Sequence, residues 1–102
     1  MNLLHMKYAL VIAKTNSINK AAEELYVGAP ALSRAIKELE ADLGVTLFER
    51  SAKGMFLTPD GELFVSCAKK VLKQIDDIES IFKDGSKARE HFSISAPRAS
   101  YI

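Results

Sequence analysis

Polar and cationic side chains are grouped on one side of a predicted helix between Gly28 and Gly44. An arginine can bind guanine through two hydrogen bonds or hold a phosphate, and a serine hydroxyl can bind a base or a phosphate. The first residues of this side are small, so the helix can begin close to another surface. Such an edge suits the major groove of duplex DNA. The residues on it are Ala29, Pro30, Ser33, Arg34 and Lys37.

The opposite side of the same helix is apolar. Leu32, Ile36, Leu39 and Leu43 recur at steps of four, three and four residues, which is the spacing of an amphipathic helix. Gly44 follows this stripe, and glycine accepts the left-handed conformation that ends a helix. The pattern predicts one helix with a buried face and a polar face.

Two shorter helices are predicted before this one, over Leu3–Lys14 and over Asn19–Tyr26. Asn19 is the predicted N-cap of the second helix, because asparagine is a preferred capping residue. The turn residues Thr15, Asn16 and Ser17 separate the two helices. Two short helices joined by a glycine-containing turn are typical of the helix-turn-helix motif.

Two short apolar runs surround a polar, glycine-containing stretch between Val45 and Thr58. This arrangement predicts a small β-hairpin with Arg50 and Lys53 at its tip. The predicted fold class is therefore mainly α, a winged helix-turn-helix formed by residues 1–58. Arg50 and Lys53 are predicted to face the same side as Ser33 and Arg34, although the alternative is that they are ordinary turn charges.

A long helix is predicted from Pro59 to about Asp84, with Thr58 as its N-cap. Its apolar residues follow a heptad spacing, and so small a domain cannot bury the whole seam. Residues 59–84 are therefore predicted to be a linker helix that dimerises with a second copy, although it could instead fold back on its own domain. The predicted seam consists of Phe64, Ala68, Val71, Ile75, Ile78 and Phe82.

The end of the sequence has a different composition. Residues 85–91 are polar and are predicted to be a hinge. Phe92, Ile94 and Ala96 alternate with serines, which is the pattern of a strand, but the chain offers no partner strand. Residues 92–102 are therefore expected to be the start of a truncated second domain.

Composition narrows the function classes. The chain has 102 residues, 48% of them hydrophobic, and a net charge of +1, so the strong basic character of many nucleic-acid binders is absent. This near-neutral charge favours an alternative function, a winged-helix module for protein interaction or dimerisation.

No apolar run reaches the roughly 20 residues of a membrane span. The single cysteine, Cys67, fits a reducing cytosol.

No motif supports catalysis. The sequence lacks paired carboxylates, a Cys/His set at metal-ligand spacing, a glycine-rich phosphate loop and a nucleophile motif, so neither an enzyme nor a cofactor is predicted. Cys67 is expected to be a buried or half-buried apolar residue. His5 and His91 are isolated in the sequence and are expected at the surface.

Three blocks of this sequence resemble the LysR-type transcriptional regulators of bacteria. They are SINKAAEELYV (residues 17–27), PALSRAIKELEADLGVTLFER (residues 30–50) and LTPDG (residues 57–61). The resemblance extends from Met1 to about Pro97. It implies an N-terminal winged helix-turn-helix, a dimerising linker helix and a C-terminal effector domain that binds a small-molecule inducer. It also implies a cytoplasmic, nucleoid-associated homodimer, with a tetramer as an option for the full-length protein.

The resemblance also assigns roles to individual residues. The third helix matches the recognition helix, Asn19 and Lys20 match a site that contacts the DNA backbone, and Arg50 and Lys53 match the wing. The implied target is an interrupted dyad operator bound by two copies.

This chain departs from the family pattern at Gly28 and Ala29, where the family usually has Ser-Gln. The change removes a capping hydroxyl and an amide able to read a base edge, and an apolar contact with a thymine methyl is the substitute that Ala29 offers. For the cations of the third helix there is also a purely structural alternative, in which Arg34 and Lys37 are solvated and pair with Glu38 or Glu40.

Overall fold

The computed structural model describes residues 1–83, which form four helices and one two-stranded antiparallel hairpin. This is the predicted winged helix-turn-helix followed by a long helix. The hinge and strand predicted in residues 85–102, Asp84 and His91 lie outside the described residues. The elements are α1 (Leu3–Thr15), α2 (Ile18–Leu25), α3 (Ala29–Leu43), β1 (Phe48–Ser51), β2 (Gly54–Leu57) and α4 (Pro59–Lys83).

Short polar side chains start the helices. The Asn2 side chain accepts a hydrogen bond from the His5 backbone N–H at 2.8 Å and caps α1. The prediction that Asn19 caps α2 is wrong, because Ser17 does so by accepting from the Lys20 backbone N–H at 3.1 Å. The helix begins at Ile18, whose apolar side chain packs against the core, so the cap lies two residues before the predicted one.

Left-handed residues end the first three helices. Asn16, Tyr26 and Gly44 have φ values of 55°, 57° and 73° and donate backbone N–H groups to carbonyls of the preceding turns. The predicted stop at Gly44 is confirmed. Asparagine is common in this conformation, whereas an aromatic residue adopts it at a cost.

Helices α1, α2 and α3 enclose one apolar core. Leu32, Ile36 and Leu39 of the predicted stripe are buried there, but Leu43, the last residue of α3, is 38% exposed. The alanines of α1 and α2 are also buried and let the helices approach one another closely. The buried hydrophobic residues of this core are Ala9, Ile12, Ala21, Ala22, Leu32, Ile36, Leu39, Leu47, Phe48 and Met55.

The wing pairs β1 with β2 in a register that places Arg50 opposite Met55 and Ser51 opposite Gly54. The turn therefore consists of Ala52 and Lys53. The prediction that Arg50 lies at the tip is wrong, because the strand continues past it to Ser51 before the chain turns. Lys53 does lie in the turn, as predicted.

Polar bonds fasten the wing to the ends of two helices. The Asn16 carbonyl accepts from the Met55 N–H, and the Asn16 side chain donates to the Met55 carbonyl, both at 3.1 Å. The Glu40 carboxylate accepts from the backbone N–H groups of Leu47 and Phe48 at 2.7 and 3.2 Å. These bonds hold the wing beside α1 and α3.

Thr58 caps α4, as predicted, by accepting from the Gly61 N–H at 2.9 Å. The chain divides into two compact units, Met1–Lys70 and a second that begins at Val71. The first unit thus includes part of α4 beyond the predicted domain of residues 1–58, because Val65 and Ala68 are buried. In the described part of the chain, no helix is both long and apolar enough to cross a membrane.

Candidate nucleic-acid interface

The polar side of α3 is accessible along its first half. Pro30 in the first turn, Arg34 and Lys37 are exposed, and Ser33 is half-buried among them. Ala29, also predicted on this side, is half-buried and packs partly against the core. Its methyl group is therefore less available than Pro30, Arg34 and Lys37, which are exposed.

The wing meets this side of α3 through one bond. The Arg50 guanidinium donates through Nη2 to the Ser33 hydroxyl at 2.9 Å, and Arg50 itself is exposed. A cavity of about 40 Å³ beside this bond has Ser33, Lys37 and Arg50 in its lining. The structure thus brings Ser33, Lys37 and Arg50 together, and with the exposed Arg34 of the same side of α3 they form the surface that we call the α3–wing face.

The other predicted residues lie apart from this cluster. Lys53 is exposed in the wing turn, and Asn19 and Lys20 are exposed in the first turn of α2. Among the hydrogen bonds and ion pairs of residues 1–83, none joins these three side chains to the α3–wing face. Their predicted role as DNA contacts stays a prediction.

The carboxylates expected to neutralise the α3 cations are used elsewhere. Glu40 binds the backbone of Leu47 and Phe48, and the nearest ion-pair partner of Glu38 is His5, with Nε2 and Oε1 3.9 Å apart. Within residues 1–83, no carboxylate lies at ion-pair distance from Arg34 or Lys37. The pairing of these cations with Glu38 or Glu40, expected in the structural alternative, is therefore not formed, whereas their exposure agrees with its other half, in which they are solvated.

Three polar residues that position the site were not predicted as functional. Asn16 and Glu40 hold the wing, and the Thr58 hydroxyl donates to the Thr46 carbonyl at the base of the hairpin. The bond from Asn16 to Met55 joins residues 39 positions apart, so no local sequence pattern could predict it. The only sequence signal was the capping and turn preference of Asn16 and Thr58.

The predicted dimer seam is divided between buried and exposed residues. Ala68 is 2% exposed, and Phe64 is half-buried against the core. These two residues therefore pack mainly within their own chain. Val71 and Ile75 are half-buried. Ile78 and Phe82 are 55% and 69% exposed, one helical turn apart. Leu63, outside the predicted seam, is 65% exposed in the first unit.

Two expectations about single residues are wrong. Cys67 is exposed rather than buried, because it lies one position from the buried Ala68 and faces away from it. The His5 side chain on α1 is only 13% exposed, and its Nε2 lies 3.9 Å from Oε1 of Glu38 on α3. Across residues 1–83, no group of three or more His, Cys, Asp and Glu side chains is arranged to hold a metal.

Comparison with known sequences shows one family. Residues 3–62 match the family described as bacterial regulatory helix-turn-helix protein, lysR family. The uncharacterized HTH-type transcriptional regulator YcgK of Bacillus subtilis is 41% identical over 98 residues, covering 95% of this chain and 30% of that protein. The HTH-type transcriptional regulator BenM of Acinetobacter baylyi is 37% identical over 83 residues, covering 81% of this chain and 27% of BenM. The chain thus spans less than a third of the length of these relatives.

Solved structures give the same result. A crystal structure of a BenM_DBD/catB site 1 DNA complex matches with a TM-score of 0.79 and 37% identity, covering 82% of this chain and 94% of that one. A full-length OxyR variant from Pseudomonas aeruginosa matches with a TM-score of 0.77 and 40% identity, covering 84% of this chain and 29% of that one. Sequence and fold agree that this chain belongs to the lysR family of bacterial regulatory helix-turn-helix proteins.

Proposed function

We propose that this chain is the DNA-binding part of a bacterial transcriptional regulator and recognises a specific duplex through the α3–wing face. The observation that carries the proposal is the pair of exposed cations on α3, Arg34 and Lys37, neither of which forms an ion pair with a carboxylate within residues 1–83. Unpaired cations beside a hydroxyl on the accessible side of a helix are suited to phosphates and to guanine. Asn19, Lys20 and Lys53 are proposed as flanking contacts with the DNA backbone.

The likeness to BenM supports this proposal. The solved BenM_DBD complex contains DNA, and the matched region covers almost all of that chain. Because the fold is shared, this chain has an equivalent third helix and wing. The near-neutral net charge of +1 then indicates that binding depends on where the cations lie rather than on their total number.

We further propose that two copies associate through α4 and bind the two halves of an interrupted dyad. Ile78 and Phe82 are exposed large apolar residues one turn apart in the second unit, and Leu63 is exposed in the first. Exposed apolar side chains at helical spacing favour burial against a partner helix. The partner most consistent with a dyad operator is a second copy of the same chain.

Functions beyond this chain are proposed for the longer protein. A small-molecule inducer would bind outside the described domain, and tetramers would depend on parts that this chain does not contain. A protein whose partner is chromosomal DNA is proposed to act in the cytoplasm, in association with the nucleoid. No catalytic step is assigned to it.

DNA recognition is tested by selecting duplexes from a randomised library with the purified chain and titrating the recovered duplex over a range of salt. We expect preferential binding that weakens steeply with salt. Arg34→Ala should reduce affinity by about 1–3 kcal/mol if Arg34 reads a base. Lys7→Ala is the control, since it removes one exposed cation from α1, away from α3.

Equal, weak binding to selected and scrambled duplexes would overturn the proposal and favour the protein-interaction module. Equal losses for Arg34→Ala and Lys7→Ala would instead show general electrostatic attraction. The dimer is tested separately by sedimentation of Ile78→Asp, which should be monomeric, beside Ser80→Asp, which adds the same charge at an exposed polar position. A dimeric Ile78→Asp chain would exclude Ile78 from the interface.

A further inference from the structure

The bond between Arg50 and Ser33 connects the wing to α3 at an exposed point. Arg50 Nη2 donates to Ser33 Oγ at 2.9 Å. Arg50 lies on β1 opposite Met55, whose side chain is 6% exposed and belongs to the core. The guanidinium that reaches Ser33 is therefore carried by an anchored strand rather than by the wing turn.

This bond determines what Ser33 offers to another molecule. A hydroxyl has one hydrogen and two acceptor lone pairs, whereas a guanidinium only donates. Ser33 is therefore the acceptor in the bond with Arg50, and its own hydrogen is left for a second partner. The bond is also charge-assisted, which strengthens it and polarises the hydroxyl.

The hydrogen of Ser33 is not used inside the described protein. Helical serines and threonines often donate to the carbonyl four residues earlier, as Thr15 does to Val11 at 3.0 Å. No such bond is made by Ser33 in residues 1–83, where its only side-chain hydrogen bond is the one it accepts from Arg50. Its hydrogen is therefore available to a second partner.

A pocket lies beside the bond between Arg50 and Ser33. The cavity of about 40 Å³ between α3 and the wing has both Ser33 and Arg50 in its lining. Within residues 1–83, the Arg50 guanidinium is the one side chain that is hydrogen-bonded to the Ser33 hydroxyl, and its planar fork gives that bond a defined direction.

We propose that Arg50 is a positioning residue that holds Ser33 as a hydrogen-bond donor toward DNA. This inference rests on the proposed function. A hydroxyl held in this way selects an acceptor, such as a purine N7, guanine O6, thymine O4 or a phosphate oxygen. One lone pair of the hydroxyl is still unused, so the donated hydrogen favours these acceptors without excluding the amino groups of adenine and cytosine.

Direct contact with a phosphate is the competing role for Arg50, because four of the five guanidinium N–H groups are not used by Ser33. The two roles differ in how the effects of Arg50 and Ser33 combine. If Arg50 only positions Ser33, replacing Arg50 no longer changes DNA affinity once the Ser33 hydroxyl has been removed. If Arg50 contacts a phosphate, replacing it still weakens binding in the chain that lacks this hydroxyl. A double-mutant cycle measures this difference.

The experiment compares the parent chain, Ser33→Ala, Arg50→Met and the double variant on the duplex recovered by selection. Ser33→Ala should weaken binding about threefold to tenfold, the usual effect of one hydrogen bond. Arg50→Met should cause a similar loss in the parent, but less than about a twofold loss in the Ser33→Ala chain. The salt dependence of binding should change little with Arg50→Met.

Lys53→Met is the matched control, since it removes a wing cation that has no bond to Ser33. We expect its loss to be the same with and without Ser33 and its salt slope to fall by about one. Thermal unfolding of every variant shows whether its weaker binding comes from a displaced, less stable wing or from the loss of a contact with DNA. Arg50→Lys should restore the unfolding midpoint of the parent without fully restoring the base preference.

Modified duplexes distinguish the two sources of the acceptor. One series of duplexes lacks single base acceptors: 7-deazapurines lack N7, 2-aminopurine in place of guanine lacks O6, and 5-methylpyrimidin-2-one in place of thymine lacks O4. A second series carries methylphosphonates, which remove the charge of single phosphates. One substitution should weaken the parent and leave both Ser33→Ala and Arg50→Met unaffected. A base acceptor is indicated by the first series and a phosphate acceptor by the second.

The outcomes separate this inference from the proposed function. If the parent binds selectively but the losses of Ser33→Ala and Arg50→Met add in full, Arg50 does not position Ser33 and only the inference fails. If no modified duplex distinguishes the parent from Ser33→Ala, the hydroxyl does not donate to DNA. If the parent prefers no duplex at all, the proposed function fails and the inference fails with it.

Discussion

The three-helix core and the wing are held by different interactions. Burial of side chains such as Ile12, Leu32 and Leu39, none of which is measurably exposed, fixes the helices against one another. The wing contributes Phe48 and Met55 to the core, but its position depends on backbone bonds from Asn16 and Glu40. A buried leucine contributes about 1.5–3 kcal/mol, and a neutral hydrogen bond about 0.5–1.5 kcal/mol.

This difference bears on recognition. Changes at the core should alter the unfolding of the whole domain, whereas changes at the wing bonds should move Arg50 and Lys53 with less effect on global stability. The positions of Arg50 and Lys53 thus depend on the bonds that Asn16 and Glu40 make to the wing.

The largest effect is expected from Leu39→Ala in the core. Leu39 has no exposed surface, and truncating a fully buried leucine leaves a cavity that costs about 2–5 kcal/mol. The free energy of unfolding from urea denaturation measures the loss. Leu43→Ala on the same helix is the control, since Leu43 is 38% exposed, and its loss should be clearly smaller. Equal losses would contradict the contrast between the buried stripe and the helix end.

Gly54→Ala should be next in size. Gly54 has a φ of 134°, and a Cβ there would lie 2.3 Å from the Asn16 carbonyl oxygen. The methyl group must push the wing away from α1, and strain at such a backbone position costs about 1–3 kcal/mol. Faster amide exchange at Met55 is the local measure, because its N–H donates to that carbonyl.

Gly44→Ala provides the comparison for this clash. Gly44 also has a positive φ, 73°, but a Cβ added there would have nothing within 4 Å. Its variant should lose only the cost of the left-handed conformation, about 1–2 kcal/mol, without faster exchange at Met55. If Gly44→Ala accelerates amide exchange at Met55 as much as Gly54→Ala does, the contact with Asn16 is not the reason that residue 54 must be glycine.

A smaller effect is expected from Glu40→Gln. The carboxylate accepts from two backbone N–H groups, and a neutral amide oxygen should replace these bonds at a loss of about 1 kcal/mol. Amide exchange at Leu47 and Phe48 should accelerate more than exchange in α1. Glu49→Gln, an exposed change of the same kind on β1, should leave all of these rates unchanged.

The sequence predicted the parts of this fold that depend on short-range pattern. The stripe of α3, the stop at Gly44 and the Thr58 cap follow from residue types within a few positions. The cap of α2 was misplaced because Ser17 and Asn19 are both good capping residues, and the packing of Ile18 decides between them. Arg50 was misplaced because the apolar run ends at Phe48, and the polar residues that follow do not show where the strand ends and the turn begins.

The organisation of the candidate site was less predictable. Residue types indicated Ser33, Arg34 and Lys37, because helical spacing alone places them on one side. The bond from Arg50 to Ser33 joins residues 17 positions apart, and it depends on how the wing packs. The same holds for Glu40, which the sequence offered as a partner for a cation and which the fold uses to bind the backbone.

The smallest effect is expected from Tyr26→Asn in the turn between α2 and α3. Tyr26 has a φ of 57° and a side chain that is 95% exposed, so it carries the cost of the left-handed conformation without compensating burial. Asparagine adopts this conformation more readily, and we expect a gain in unfolding free energy of up to about 1 kcal/mol. The backbone bonds to Ala22 and Glu23 would be kept, because they involve only the N–H of this residue. Urea denaturation checks the gain, and a loss of stability would show that the tyrosine ring supports the core although it is exposed.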